Sequence, residues 1–300
     1  MRTLLIVNPA AGHGRGKKCF ERMKSRIRAA IPALDVRISE YPGHAVELGR
    51  RAAAERFERV ICLGGDGTPF EVVNGLFESG RPFPAPEIGL IPAGTGNSFV
   101  RDFDIRTPEE ALERILAGRR RRVDLIEFSY ESGRGPLRRY ALNLLGVGLI
   151  ADILELTNRR LKFLGAAGYS LAVLLRLVRG MDNRIDFATD GRPRTVEDSA
   201  LVVSNSKHTG GSMKIAPTAD AGDGRADLVL FNGVNRREIV AIFRAVFSGR
   251  HAAHPKVEII QAAEMNFAGT PPLRVMADGE ILGWTPLQLK VLPGVLTLLI

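Results

Sequence analysis

The chain has 300 residues and a mass of 32.7 kDa, a length that favours two cores over one. Apolar residues are 45%, charged residues 25% and mean hydropathy is +0.01, which excludes a disordered chain; no run of about 18 apolar residues offers a membrane span. Lys and Arg outnumber Asp and Glu by 42 to 33, a net charge of +9 that suits nucleic acid, an anionic membrane face or a phosphorylated ligand. Aromatic residues are only 6%, and no Lys/Arg-Gly-Phe motif occurs, so nucleic acid is not the expected partner. Cys19 and Cys62 are too few for a disulfide framework and fit a reducing cytoplasm.

The first 122 residues alternate strand and helix in the manner of an α/β layer fold. Residues 3–7 read as a buried strand rather than a leader, followed by the loop Asn8-Pro9-Ala10-Ala11-Gly12-His13-Gly14-Arg15-Gly16 and a basic helix to about Ala30. Strands are predicted over 35–39, 59–63 and 87–91, and helices over 45–56 and 71–77. Thr107 as N-cap, Pro108 at the first helical position and Glu110 three residues past the cap predict a helix to Ala117, stopped by Gly118.

From Val123 the pattern turns strand-rich: 123–130, 137–145, 184–189, 200–204 and 228–231. Residues 161–178 are the exception, a long apolar run with basic flanks that predicts a helix. The expected domains are 1–122 and 123–290, with a last strand at about 291–300 returning to the first. The Arg119–Arg122 run reads as a solvated linker that also suits an anionic membrane face, Cys62 as a buried thiol, and His251 with His254 as a solvated surface pair.

Three glycine-rich loops each follow a predicted strand of the first domain: 8–16, Gly64-Gly65-Asp66-Gly67-Thr68, and Pro92-Ala93-Gly94-Thr95-Gly96-Asn97. Open α/β sheets bind ligands beyond the carboxyl ends of their strands, and glycine lets backbone N–H groups approach a phosphate. None is a Walker A loop or a dinucleotide fingerprint. Asp66 cannot bind phosphate directly; it holds Mg²⁺, orients a hydroxyl, or caps its turn. Asp278 lies in Ala277-Asp278-Gly279-Glu280, where it is either an acid projected by a tight turn or a plain hairpin Asp-Gly.

These residues resemble the diacylglycerol kinase catalytic-domain superfamily, which includes bacterial lipid kinases and the sphingosine and ceramide kinases. Asn8-Pro9 resembles its opening nucleotide loop, Gly64 to Thr68 followed by Glu71-Val72-Val73-Asn74-Gly75-Leu76 its signature, and Ile91 to Asn97 its second nucleotide loop. Asn205, Thr209-Gly210-Gly211, Ala216-Pro217, Asp223-Gly224, Asp278-Gly279-Glu280 and Pro293-Gly294 follow the family's order. The resemblance implies an N-terminal nucleotide-kinase-like α/β domain (NAD kinase/phosphofructokinase-like) and a C-terminal β-sandwich domain. It implies transfer of the γ-phosphoryl group of ATP to a lipid hydroxyl, with ATP and Mg²⁺ as cofactors.

Carried over by position, Asn8, Ser39, Gly64, Gly65, Asp66, Gly67, Thr68, Glu71, Gly94, Thr95 and Asn97 serve the nucleotide, Asp66 also serves catalysis, and Asp278 is the general base. Asp220, Asp223 and the main chain of Arg225 fall on a Mg²⁺ site of the second domain. The chain departs from the family at Phe70, usually Asn, at Ser98, often Asp, and at Ile150, often Asp. The implied partner is a lipid substrate in an anionic membrane surface, met by a cytoplasmic enzyme that docks reversibly; a homodimer stands beside a monomer. A nicotinamide-nucleotide kinase and a catalytically silent nucleotide- or lipid-binding regulator are the alternatives.

Overall fold

The computed structural model describes residues 1–80, 85–156 and 183–300. The expected helix over 161–178 and its basic flanks lie outside the described residues. The chain divides into two compact units, Met1–Leu125 with Leu292–Ile300, and Ile126–Val291.

The first unit is a five-stranded parallel sheet flanked by helices. In chain order it comprises β1 (Thr3–Val7), α1 (Ala11–Ala30), β2 (Leu34–Ile38), α2 (His44–Ala54), β3 (Arg59–Gly64), α3 (Gly67–Leu76), β4 (Glu87–Pro92), α4 (Ser98–Arg101) and α5 (Pro108–Ala117). The strand order is β2-β1-β3-β4, closed by the end of the last strand, where Thr297, Leu298 and Leu299 pair in parallel with Glu87, Ile88 and Gly89. β1 and β3 are buried along their whole length, which explains their unbroken apolar sequences. α2 packs on α3 at backbone distance, because a Cβ on Gly49 would sit 2.3 Å from the Val72 carbonyl oxygen and one on Gly75 2.0 Å from that of Val46. The α5 start carries both bonds of a capping box: Glu110 N–H donates to Thr107 Oγ1 at 3.2 Å, and Thr107 N–H to Glu110 Oε2 at 3.1 Å.

The second unit is an antiparallel β structure. Its strands are β5 (Arg120–Glu131), β6 (Pro136–Ala141), β7 (Leu144–Val147), β8 (Arg184–Thr189), β9 (Arg192–Glu197), β10 (Ser199–Ser204), β11 (His208–Thr209), β12 (Met213–Lys214), β13 (Ala226–Asn232), β14 (Val257–Ala262), β15 (Glu264–Thr270), β16 (Arg274–Ala277) and β17 (Glu280–Leu299). β5 and β17 each begin in one unit and end in the other. One run of neighbours is β14-β13-β10-β7-β16-β17, and β17 continues through β15 and β8 to β9. β17 alternates strictly from Gly283 to Val291, with Leu287, Leu289 and Val291 inward. Two helices, α6 (Leu149–Leu156) and α7 (Arg236–Val246), supply Ala151, Ile242 and Val246 to a core with Leu144, Val202, Val229 and Met276.

Three sequence expectations need correction. The Arg119–Arg122 run is not a linker: Arg120 opens β5 and pairs with Glu87, and Arg121 lies 5.3 Å over the Phe103 ring. The single strand expected over 137–145 is two strands, β6 and β7, with Leu142 and Asn143 out of the ladder. His251 is not a solvated surface residue; it is buried, its Nε2–H donating to the Ile215 carbonyl at 2.9 Å and its ring stacked on Phe231.

Candidate active site

Four parallel strands of the first unit end side by side, and the nucleotide candidates sit on those ends. Asn8 N–H donates to the Leu63 carbonyl at 2.9 Å, Ser39 N–H to that of Val7 at 2.8 Å, and Ala93 N–H to that of Gly64 at 2.7 Å. Each loop therefore starts where the sheet's ladder stops. In the first loop Gly12, His13 and Gly14 all adopt left-handed φ angles, so the chain turns here before the regular part of α1.

Direct contacts draw the three loops together. Asn8 Nδ2 donates to Thr68 Oγ1 at 3.1 Å, and Asn8 Oδ1 accepts the Ala10 N–H at 3.1 Å. Gly65 and Gly94 meet backbone to backbone: a Cβ on Gly94 would lie 2.4 Å from the Gly65 Cα, so no side chain fits. Arg15 joins the first loop to the third, donating to Thr95 Oγ1 at 3.0 Å and to the Gly12 carbonyl at 3.1 Å. The sequence did not single out Arg15; its signal was a guanidinium inside a glycine loop at the head of a basic helix.

Asp66 does cap, though not its own turn. Its Oδ1 accepts N–H bonds from Ser98 at 2.7 Å and Phe99 at 3.4 Å, so it tethers the second loop to the start of α4. Burial pushes its carboxyl up, and the amides of Ser98, Phe99 and Asn97 pull the other way. Asn97 braces its own loop, with Oδ1 on the Gly94 N–H at 2.8 Å and Nδ2 on the Gly94 carbonyl at 3.0 Å. Glu71 serves α2: its oxygens accept the N–H groups of Gly43 at 3.3 Å and Ala45 at 3.2 Å. Burial pushes the Glu71 carboxyl up against those two bonds. Phe70 is buried in α3, and the Asn74 amide donates to its carbonyl at 2.8 Å. Ser98 is buried as well, at the head of α4. Cys62 is fully enclosed in β3, which pushes its thiol up to about 12.

In the second unit, Asp278 and Gly279 are the two residues of the β16–β17 hairpin, both at positive φ, 46° and 92°, as a primed turn requires. The carboxylate is nonetheless buried. Oδ2 accepts the Leu142 N–H at 2.8 Å, and Oδ1 accepts those of Asn143 at 3.0 Å and Leu144 at 2.8 Å. The hairpin reading of Asp278 describes its backbone, and its carboxylate is held in one orientation by the three amides. Ile150 is half-buried and packs beside Gly146 and Met276 at the edge of the apolar core.

Asp220 and Asp223 lie in the exposed loop before β13. Gly222 N–H donates to Asp220 Oδ1 at 3.1 Å and Arg225 N–H to Asp223 Oδ1 at 2.9 Å, two successive Asx turns. The Arg225 guanidinium points elsewhere, to the Gln261 carbonyl at 3.2 Å and Asp190 at 3.5 Å. Asp227 nearby is buried, bonded to Thr218 and Gln261, and its carboxyl is raised by burial and, in small part, by Asp223. This oxygen-only donor set suits a hard cation that keeps part of its water shell. Among the described residues no group of three or more His, Cys, Asp or Glu side chains gathers to hold a metal, so such an ion would depend on main-chain oxygen and water.

Residues 2–128 match the diacylglycerol kinase catalytic domain, and residues 143–300 match the YegS C-terminal NAD kinase beta sandwich-like domain. A diacylglycerol kinase of Staphylococcus carnosus is 30% identical over 293 residues, covering 95% of this chain and 90% of the relative. The chain belongs to the diacylglycerol kinase catalytic-domain family. Another family member, a diacylglycerol kinase of Mycobacterium tuberculosis, is 26% identical and spans 98% of this chain and 93% of its own length. Among solved structures, a diacylglycerol kinase of Bacillus anthracis superposes with a TM-score of 0.75 at 22% identity, covering 99% and 96% of the two chains. Yeast NADH kinase superposes with a TM-score of 0.54 at 10% identity, covering 99% and 82%. Both likenesses are of fold: a nucleotide-kinase-like α/β domain followed by a β-sandwich domain.

Proposed function

We propose that the chain is a lipid kinase that transfers the γ-phosphoryl group of ATP to the hydroxyl of a membrane lipid, a diacylglycerol, a sphingoid base or a relative of these. The observation that carries the reading is the convergence of three glycine loops on adjacent carboxyl ends of a parallel sheet, in a chain whose relatives are named diacylglycerol kinases. Backbone N–H groups of Gly64, Gly65 and Gly67, with Asn8, Ser39, Thr68, Thr95 and the close backbone approach at Gly94, form the nucleotide site. Asp66, Glu71 and Asn97 serve it by fixing loop shape, through their bonds to the N–H groups of Ser98, Gly43 and Gly94.

In the transfer, the lipid oxygen bonds to the γ-phosphorus while the bond to the β–γ bridging oxygen breaks. ADP leaves with that electron pair, and the hydroxyl proton passes to the Asp278 carboxylate. An alcohol is a weak acid, so the proton moves late, and catalysis rests on position and charge neutralisation. Magnesium neutralises phosphate charge when bound. Asp220, Asp223 and the Arg225 carbonyl would hold a further ion within the second unit. The net charge of +9 supports reversible docking on an anionic bilayer, and no helix among the described residues is long and apolar enough to cross one.

A nicotinamide-nucleotide kinase is the nearest competing enzyme, favoured only by the fold likeness to NADH kinase. Against it, relatives that span nearly the whole chain at 26–30% identity are named diacylglycerol kinases, while the likeness to NADH kinase is at 10% identity. Radiolabelled ATP offered with vesicles of several lipids, and separately with NAD, tests the assignment. Label in a lipid supports it, label in NAD replaces it with the competing enzyme, and label in neither leaves a silent regulator.

A further inference from the structure

Three consecutive amides on one carboxylate are unusual, and the segment that supplies them is held from behind. Leu142 and Asn143 leave the β ladder between β6 and β7. Their N–H groups and that of Leu144 all go to Asp278, whose own N–H returns to the Leu144 carbonyl at 3.0 Å. On the other side, the Leu142 carbonyl accepts Asn205 Nδ2 at 2.8 Å and the Asn143 carbonyl accepts Asn205 N–H at 2.7 Å. The Asn143 side-chain oxygen accepts the Ser206 hydroxyl, and Ser204 Oγ donates to the Ser206 carbonyl at 2.6 Å. Asn143, Ser204, Asn205, Ser206 and Asp278 are all buried.

A strand end can be closed by main-chain bonds alone. Here the β7–β10 ladder reaches Leu144 and Ser204 and stops, and side chains take over. Buried polar side chains are costly unless each finds a partner, so a network of this kind is kept where a fixed shape is needed. The shape it fixes is a strap of three N–H groups aimed at Asp278. A carboxylate on a two-residue turn is otherwise free to rotate about its side-chain bonds. The strap removes that freedom and sets the plane of both oxygens.

We propose that Asn205 and Ser206 are positioning residues for the transfer: they lock the 142–144 strap, and the strap orients the Asp278 carboxylate toward the lipid hydroxyl. Neither side chain touches the reacting atoms; both act through backbone amides. The inference rests on the proposed role of Asp278 as proton acceptor. It adds a cause for that role in Ser206 and Asn205, 72 and 73 positions away, which form no part of the turn.

The test pairs a rate with a structural readout on the full chain. Transfer from γ-labelled ATP to dioleoylglycerol in detergent micelles is measured for Ser206→Ala, Ser206→Thr, Asp278→Asn and the Ser206→Ala/Asp278→Asn double variant. Hydrogen exchange is followed at the Leu142, Asn143 and Leu144 amides. Ser206→Ala should lower kcat roughly 10- to 10²-fold with KM for ATP unchanged, because misplacing a reacting group is costly in rate. Ser206→Thr, which keeps the hydroxyl, should restore most of that loss. The three amides should exchange faster in Ser206→Ala while those of β10 and β13 do not. In the Asp278→Asn background the Ser206→Ala change should be silent, as for residues that act as one unit. Should Ser206→Ala fail to fold, Ser206→Cys, nearly isosteric with a weaker donor, takes its place.

Wild-type kcat or unchanged exchange in Ser206→Ala overturns the inference while leaving the lipid-kinase reading intact. An equal loss in both backgrounds overturns it too, since the hydroxyl would then serve folding alone. Full turnover in Asp278→Asn removes the base itself, and this inference falls with it.

Discussion

The two units build their chemistry in opposite ways. In the first, each nucleotide loop follows directly on the strand that presents it, and the loops meet because parallel strands end together. In the second, the key carboxylate is oriented by amides 134 to 136 positions away in the chain. A parallel sheet gathers local motifs into one place as a by-product of its topology. The Asp278 carboxylate instead takes its partners from a distant segment, so its orientation is as robust as the network that holds that segment. That contrast predicts different failures: substitutions in the first unit should act on nucleotide use, and substitutions in the second on turnover.

The largest effect belongs to Asp278. Asp278→Asn should lower turnover by roughly 10²–10⁴, with ATP binding little changed; single-turnover rates and equilibrium ATP titration separate the two. A matching loss of ATP affinity would erase the contrast. Next comes Gly94→Ala, whose Cβ would lie 2.4 Å from the Gly65 Cα. If these glycine loops hold the nucleotide, pushing them apart by a fraction of an ångström should cost about 10² in kcat/KM for ATP, with KM for lipid unchanged.

Magnesium offers a smaller effect confined to the second unit. If Asp220, Asp223 and the Arg225 carbonyl hold the ion, Mg²⁺ without nucleotide should stabilise the chain, by about 2.7 kcal/mol at a hundredfold excess over Kd. Asp223→Ala should abolish the shift in melting temperature. A flat melting curve across millimolar Mg²⁺ in the unaltered chain would remove the site.

Acid should act on the second unit through His251. Burial holds its imidazole below the ordinary value of 6.5, against the bond to Ile215. The folded chain therefore binds fewer protons than the unfolded chain just below pH 6.5. Stability is full above that pH and falls as the pH drops toward the folded value, by at most about 1.4 kcal/mol per pH unit from this group. Urea melts at pH 7.5 and 5.5 measure it, and His251→Phe should flatten the dependence. The smallest effect is Thr107→Ala, which removes the α5 capping box and should cost about 1 kcal/mol with no change in kcat.

The same contrast governs what the sequence reveals. The α5 cap was readable residue by residue because Thr107, Pro108, Glu110 and Gly118 each act locally. The glycine loops were readable because each follows an apolar strand. The 142–144 strap was not: Leu142-Asn143-Leu144-Leu145 looks like more strand, and only the distant Asp278 explains why the ladder breaks there. β9, whose sequence is Arg-Pro-Arg-Thr-Val-Glu, was missed because one buried valine gives no alternation to read. His251 looked solvated because its burial depends on Phe231 and Ile215, which approach from other strands and loops. Arg119–Arg122 looked like a linker because charge says nothing of a partner such as Glu87 or Phe103.

Transfer of the γ-phosphoryl group to a lipid hydroxyl is measured directly by following the label. The chain is incubated with lipid vesicles and either γ-labelled or α-labelled ATP, and the extracted lipids are separated by thin-layer chromatography. A labelled phospholipid should form from γ-labelled ATP alone and be lost in Asp278→Asn. Label in lipid from α-labelled ATP would mean nucleotidyl transfer, and no labelled lipid from either across the panel would contradict the claim outright.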